Sequence, residues 1–411
     1  MTITRMGSAY AYDRTINNIT KQQAELNSQM EHASAGKRVI RASDDPVAAA
    51  QAERSRTRIS RLETDQRALD AQVSSMSYAE TTLGSVSDAL QKFRELVVQA
   101  GNAAYDGPQR DSIVQQMQSL REQILSYANR QDSNGLPLFR GLDSQSTTAF
   151  PNASSTYFQS GQANGGEYSI SNALDGGLAF FSGRTGNGVL QVSLDPNNTG
   201  KVWADVGSVF DANAAAQALV ANPVTRIQFT VDAAGKTTYS LYDDTGTRLN
   251  DSNGNPLPDY DYTAGNAISV AGMNLTLKGT PSNGDALVLD GSKTISVFDV
   301  MDNAIASLKS NNSGPKGTVE HSVARALQEL DTSMNRVSTV RGLAGDLLNQ
   351  ADRMTDSITT RSDLMEGQRS AAEDIDMVKA ISDLSTQQTA VSTALQAYSS
   401  IQKLSLFNYI N

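Results

Sequence analysis

Apolar residues near the start of the chain recur in alternating steps of four and three. Tyr12, Ile16, Ile19, Gln23, Leu26, Met30 and Ala33 draw one narrow seam along a helix, with polar residues on every other face. So narrow a seam cannot be buried by its own segment, and it predicts a partner helix. Gly36 ends it. Asp45 is placed to accept from the free amides of a new helix, and Pro46 suits that helix's first turn. From Val47 a helical pattern runs to about Ala100, first through Ile59, Leu62, Gln66, Leu69, Val73 and Met76, then through Ala79, Leu83, Val86, Leu90, Phe93 and Val97. At about 1.5 Å per residue this is a shaft of roughly 80 Å.

A further helix is expected to start at Asp106-Gly107-Pro108, with Ile113, Met117, Leu120, Ile124 and Tyr127 inward, and to end at Asp132-Ser133-Asn134-Gly135. The pattern then changes. Residues 141–295 hold 19 of the 30 glycines, and runs such as IQFTVD (227–232), TTYSLYDD (237–244) and AISVAGMNLTLKG (267–279) alternate with turn signals. This predicts an inserted antiparallel β domain with one helical passage near 211–221. Helix returns at Val297, breaks at 311–315, and resumes near Thr318 towards residue 404, with weak points at Gly342, Gly345 and Gly367. A second heptad closes it: Ile381, Leu384, Gln388, Val391, Leu395 and Tyr398, before Leu406 and Phe407. The expected fold is mainly α with a β insertion, an antiparallel helical rod made by both termini. Its expected parts are residues 1–45 with 366–411, 46–145 with 296–365, and 146–295. The two terminal seams are each other's obvious partners and the expected assembly interface, because polar seam positions such as Gln23 and Gln388 suit packing against further copies.

Composition removes most chemistry. There is no cysteine, so disulfide, thiolate and Cys-zinc sites are excluded, and the two histidines, His32 and His321, read as solvated side chains. A formal net charge of −10 argues against nucleic acid or an anionic membrane as partner. The N-terminus lacks the apolar stretch of a secretory signal, and no run is long enough to span a membrane. No phosphate loop is present: Gly183, Gly186 and Gly188 read as a turn, and Asp251–Asn255 reads as a hairpin turn rather than a calcium loop. No catalytic, cofactor or metal site is expected. Arg54, Arg58 and Arg61 share one helical face, with Arg56 beside it. They read as a solvated face or, more sharply, as a contact for an acidic neighbouring subunit.

Gly36-Lys37-Arg38-Val39, then Ser43-Asp44-Asp45-Pro46 and an alanine-rich helix, resembles the N-terminal signature of the flagellins and hook-associated proteins. Glu373-Asp374-Ile375-Asp376 and Ala380–Ser385 are similar to that family's other end. The terminal Ser405-Leu406-Phe407-Asn408-Tyr409-Ile410 looks like the hook–filament junction branch rather than flagellin. The resemblance implies a non-enzymatic subunit without cofactors, outside the cell in the flagellum, exported without a cleavable signal peptide. Its implied partners are copies of itself in a ring, the first hook-associated protein, flagellin, an export chaperone and the flagellar type III export apparatus. Gly36, Lys37, Arg38, Arg41, Asp44, Asp45 and Pro46 would form a flexible spoke, its cations acting between subunits rather than within one. Flagellin itself is the alternative. A surface adhesin is another, if Trp203, Tyr239, Tyr242, Tyr260 and Tyr262 formed an exposed carbohydrate platform on the insertion.

Overall fold

A computed structural model describes residues 8–102, 107–142, 165–218, 226–243, 245–251, 253–310 and 317–407. Seven α-helices are formed among them: α1 (Ser8–Ala35), α2 (Pro46–Ala100), α3 (Gly107–Ala128), α4 (Ala212–Ala218), α5 (Val297–Ser310), α6 (Gly317–Glu373) and α7 (Met377–Phe407). The chain divides into two compact units, residues 1–68 with 353–411, and residues 69–352. The division falls inside α2 and α6. The mainly helical architecture with an inserted antiparallel β domain is the one expected. One boundary differs: α6 runs through Gly342, Gly345 and Gly367, and stops at Glu373 instead of continuing towards residue 404.

In the larger unit the expected seam of α2 is the core. Leu69, Met76, Leu83, Leu90, Phe93 and Val97 are buried, as are Met117 and Ile124 of α3, Phe298 and Met301 of α5, and Leu330 and Val337 of α6. Two bidentate contacts fix the helices laterally. Arg94 meets Asp331 at 2.7 and 3.4 Å, and Arg121 of α3 meets Asp302 of α5 at 3.0 Å through both oxygens. The segment before the strands belongs to this core too. Leu174 and Phe180 are buried, and Phe180 lies edge-on to Phe139 at 5.5 Å and stacked on Phe298 at 6.1 Å. Within the expected insertion, residues 170–181 therefore pack with the helices.

The insertion proper opens at a two-stranded neck, in which β1 (Gly183–Arg184) pairs with β11 (Thr294–Ile295). Beyond it lie β2 (Leu190–Leu194), β3 (Trp203–Ala204), β4 (Ser208–Val209), β5 (Arg226–Val231), β6 (Thr237–Tyr242), β7 (Tyr260–Asp261), β8 (Ala267–Val270), β9 (Met273–Lys278) and β10 (Ala286–Gly291). One sheet has the order β2-β10-β5-β6-β7. The other carries β8 along one edge of β9, with β3 and β4 along the opposite edge. All pairing is antiparallel. Alternate residues, such as Ile227 and Phe229 or Met273, Leu275 and Leu277, meet in one buried cluster between the sheets. The β8–β9 turn puts both central residues at positive φ, Ala271 at 53° and Gly272 at 70°, the twist that a two-residue hairpin needs.

The Asp-x-x-Gly loops share one construction. Asp132, Asp232, Asp243 and Asp251 each accept two amides, from the second and fourth residues on, at 2.8–2.9 Å. The Asp251 loop is thus the hairpin turn expected. Its carboxylate is held below the usual range chiefly by the Asn255 amide.

His321 overturns its reading as a solvated side chain. It is buried between the two sheets, with Nδ1 2.9 Å from the Ala204 carbonyl and Nε2 3.0 Å from the Val192 carbonyl, and the single N–H of the neutral ring donates to one of the two. Two turns on, buried Glu329 accepts from the Gly186 amide at 3.3 Å. Neither role was legible, because a lone polar residue in a helical run carries no sign of what packs over it. Burial holds the imidazole below its ordinary 6.5, outweighing the two carbonyls, and so favours the neutral ring in the fold. As pH falls the unfolded chain therefore takes up the proton first. The His321 contribution is intact above about pH 6.5 and is lost below it. Glu329, its carboxyl pushed up by burial, acts in the opposite sense, penalising folding as pH rises past its ordinary 4.5. Urea unfolding at pH 7.5 and 5.5 should show a loss of stability at the lower pH that His321→Gln largely removes; an equal loss in both proteins would contradict this assignment.

Candidate functional site

In the smaller unit α1 packs along α7. On α1 the inward positions are Thr15, Ile19, Gln22, Leu26, Gln29 and Ala33. On α7 they are Ala380, Leu384, Gln387, Val391, Ala394 and Tyr398. The steps are again four and three, yet only half of each expected seam turns inward. Ile19 and Leu26, with Leu384, Val391 and Tyr398, face the partner helix. Ile16 (38% exposed), Met30 (48%), Ile381 (58%) and Leu395 (46%) do not. The side chains of Tyr12, Leu406 and Phe407 lie outside the described residues.

The inward seam is poor in apolar contact. Among the described residues the side-chain oxygens of Gln22 and Gln29 are buried without a hydrogen-bond partner, and Gln387 Nε2 reaches the Gln22 carbonyl only at 3.4 Å. The outward residues repeat every seven positions, Ile16–Gln23–Met30 and Ile381–Gln388–Leu395, which is the spacing of a second seam on each helix.

Both helices break at the same place. α1 ends in a Schellman turn: the Lys37 amide donates to the His32 carbonyl at 3.1 Å and the Gly36 amide to Ala33 at 3.3 Å, with Gly36 at φ 66°. The chain then lies against the end of α6. Arg38 and Val39 amides donate to the Glu373 carbonyl at 2.7 and 3.3 Å, and the Ile375 amide donates back to Gly36 at 3.1 Å. Val39 plugs a small apolar patch made by Ala48, Ala52 and Ala372. Asp45 accepts from the Val47 and Ala48 amides at 3.1 and 3.0 Å, capping α2, while Asp376 accepts from Val378 and Lys379 at 3.0 and 3.1 Å, capping α7. Asp44 closes its own loop by accepting from Ile40 and Arg41 at 3.0 and 2.8 Å. The Ala48 amide, helped by Arg38, holds the Asp45 carboxyl low, and the Arg41 amide does the same for Asp44.

Glu373 sits at the centre. Its side chain is 3% exposed and meets three cations: Lys37 at 3.3 Å, Arg56 and Arg369. Arg38 also donates to the Ala372 carbonyl at 2.7 Å and pairs with Asp45 at 3.2 Å, and Arg41 pairs with Glu31 at 2.7 Å. The expectation that Lys37, Arg38 and Arg41 act only between subunits therefore needs correction, since each has a carboxylate partner within the chain. The break at Asp374–Asp376 and the hub at Glu373 were missed as sites. The legible signal was Asp376 standing before Met377 and Val378, as Asp45 stands before Pro46.

The proposed carbohydrate platform does not form. Tyr239 is buried and stacks on Tyr260 at 5.3 Å, Tyr262 donates to the Gly279 carbonyl at 2.6 Å, and Lys278 covers Trp203 at 4.8 Å. Tyr242 is half-buried in its sheet. Among the described residues no carboxylate or histidine cluster could hold a metal, and no helix is long and apolar enough to cross a membrane.

Comparison with known proteins follows the same outline. The bacterial flagellin N-terminal helical region matches residues 8–144 and the flagellin C-terminal helical region residues 327–410, together more than half of the chain. Flagellar hook-associated protein 3 of Escherichia coli K12 is 25% identical over 98% of both chains. Bacillus subtilis flagellin is 32% identical over 36% of this chain and 49% of its own. The crystal structure of the flagellar junction protein FlgL from Legionella pneumophila superposes with a TM-score of 0.65 at 24% identity, covering 79% of this chain and 100% of that one.

Removing the hub carboxylate tests how much it holds. Glu373→Gln should cost about 1.5–3 kcal/mol, the worth of hydrogen bonds to a charged group, whereas Lys37→Ala should cost about 0–1 kcal/mol because its side chain is 37% exposed. Amide exchange in residues 36–48 and 370–380 is the readout. Equal protection in Glu373→Gln and wild type would show that the backbone pairing alone suffices.

Proposed function

Since the chain belongs to the bacterial flagellin family, we propose that it is the structural subunit joining the hook to the flagellin filament. Copies would form a ring between the first hook-associated protein and flagellin. The full-length match to a hook-associated protein supports this over flagellin, whose match is partial. The carrying observation is the outward half-seam on α1 and α7. A helix pair whose inner seam is half glutamine and alanine, and whose outer faces repeat apolar residues every seven positions, is completed by further helices of the same kind. Residues 1–45 and 366–411 supply that polymerising part. No catalytic constellation is needed for the role. The absence of cysteine suits passage through a narrow export channel in a largely unfolded state, with a chaperone and the flagellar type III apparatus as the route.

The test is complementation of a motile strain that lacks its own copy of the gene. That strain should build hooks and shed flagellin. The wild-type chain should restore filaments, and Ile381→Asp with Leu395→Asp should not, although the purified double variant melts within a few degrees of wild type, because both side chains are already exposed. Val391→Asp, at a buried position, should instead unfold the helix pair. Normal filaments from the Ile381–Leu395 double variant would remove the outward seam from the account.

A further inference from the structure

Arg38, Arg41, Arg56, Arg94, Arg121, Arg226, Arg341 and Arg369 are each engaged by a carboxylate. The stripe at Arg54, Arg58 and Arg61 on α2 is different. All three are exposed, and among the described residues none is in an ion pair: Arg54 turns back to the Ala50 carbonyl at 3.1 Å, and Arg58 reaches only the Met365 sulfur, at 3.8 Å. Arg58 and Arg61 share a cleft of about 390 Å³ with Leu62, Arg361, Leu364 and Met365, which no acid lines. Leu364 is 58% exposed there. Guanidinium beside bare leucine suits a protein surface that offers carboxylates and apolar groups. It suits nucleic acid poorly, since the cleft has no aromatic residue for base stacking and the chain's net charge is −10.

The complementary surface is on the same chain. Asp356 and Asp363 stand seven residues apart on α6, exposed and, among the described residues, without a partner. Arg361 follows Asp356 by five residues, about 140° around the helix, so the acidic stripe and the cleft lie on different flanks and cannot satisfy each other within one subunit. Complementary patches on different flanks are the requirement for a head-to-tail contact, which closes into a ring or runs on as a helix. We infer that the Arg58–Arg61 cleft receives the Asp356–Asp363 stripe of a second copy of this chain. The contact rests on the self-assembly proposed above, and it sets lateral register between neighbours independently of the α1–α7 seam.

Charge exchange tests it, in the full chain and in the same gene-deleted strain. Arg58→Glu with Arg61→Glu should leave export and melting temperature unchanged while lowering filament number at least about tenfold, as repulsion replaces a coupled charge pair. Asp356→Lys with Asp363→Lys should do the same. The chain carrying all four changes should regain filaments. Should either reversal lower the melting temperature, the milder Arg58→Gln with Arg61→Gln and Asp356→Asn with Asp363→Asn are compared, each expected to give a smaller loss. Full filament number from either reversed pair, or a four-fold variant no better than its parents, overturns the contact, as does retention of nucleic acid by the wild-type chain that the arginine reversal abolishes. A wild-type chain that restores no filaments fails the junction role itself, whereas a restoring wild type with a failed exchange rejects this contact alone.

Discussion

The buried carboxylate of Glu373 is the constraint on which the terminal unit depends. Two long helices, α2 and α6, end or begin beside two others, α1 and α7, and every helix end leaves amides or carbonyls without partners. Here both breaks satisfy each other. The backbone of residues 36–39 pairs with that of 373–375, aspartates cap the two outgoing helices, and one carboxylate gathers Lys37, Arg56 and Arg369 from three separate segments. A buried charge is costly unless paired, so the three segments are held to one arrangement. Val39 in its alanine-lined patch adds a small apolar anchor.

From that fixed point α1 and α7 run as a pair that holds itself only weakly. Ordering a residue costs about 1–2 kcal/mol, and a fully buried large side chain returns about 1.5–3 kcal/mol. The inward seam offers few such side chains and leaves two glutamine oxygens unpaired. Glutamine at heptad positions keeps the single subunit from exposing one continuous apolar face, and isoleucine, methionine and leucine on the outward stripe leave something to bury when copies meet. The same trade recurs on α2 and α6 of this unit, where Arg54, Arg58 and Arg61, outside any ion pair among the described residues, and exposed Asp356 and Asp363 share the surface with exposed Leu364.

Much of this was legible. Strict periodicity located α2 to within a residue or two and marked the seams of α1 and α7, though not the break between α6 and α7, and the cap at Asp45-Pro46 was readable because proline and aspartate act locally. Alternation in 227–232 and 267–279 gave the strands, and glycine-containing turn signals such as Asn253-Gly254 marked turns between them. What failed were the features set by contact across distant sequence. A heptad written as one seam gave no sign that Ile19 and Leu26 would turn inward while Ile16 and Met30 turned out, since residues three and four apart lie close enough for either to be the buried edge. His321 looked solvated because its partners, Val192 and Ala204, come from another part of the chain. Glu373 was noticed only as part of a family signature, its hub role hidden by cations 336 and 317 residues away and by one four residues back.

The central claim is that the outward face of the terminal helices is covered by other copies. The chain has no cysteine, so a single one can be introduced as an unambiguous probe. Leu395→Cys, in cells that assemble filaments with it, should react quickly with a maleimide as the purified subunit and slowly in isolated flagella, while a cysteine at exposed Thr245 on the β insertion reacts alike in both. Equal reactivity at position 395 in subunit and assembly would contradict the account.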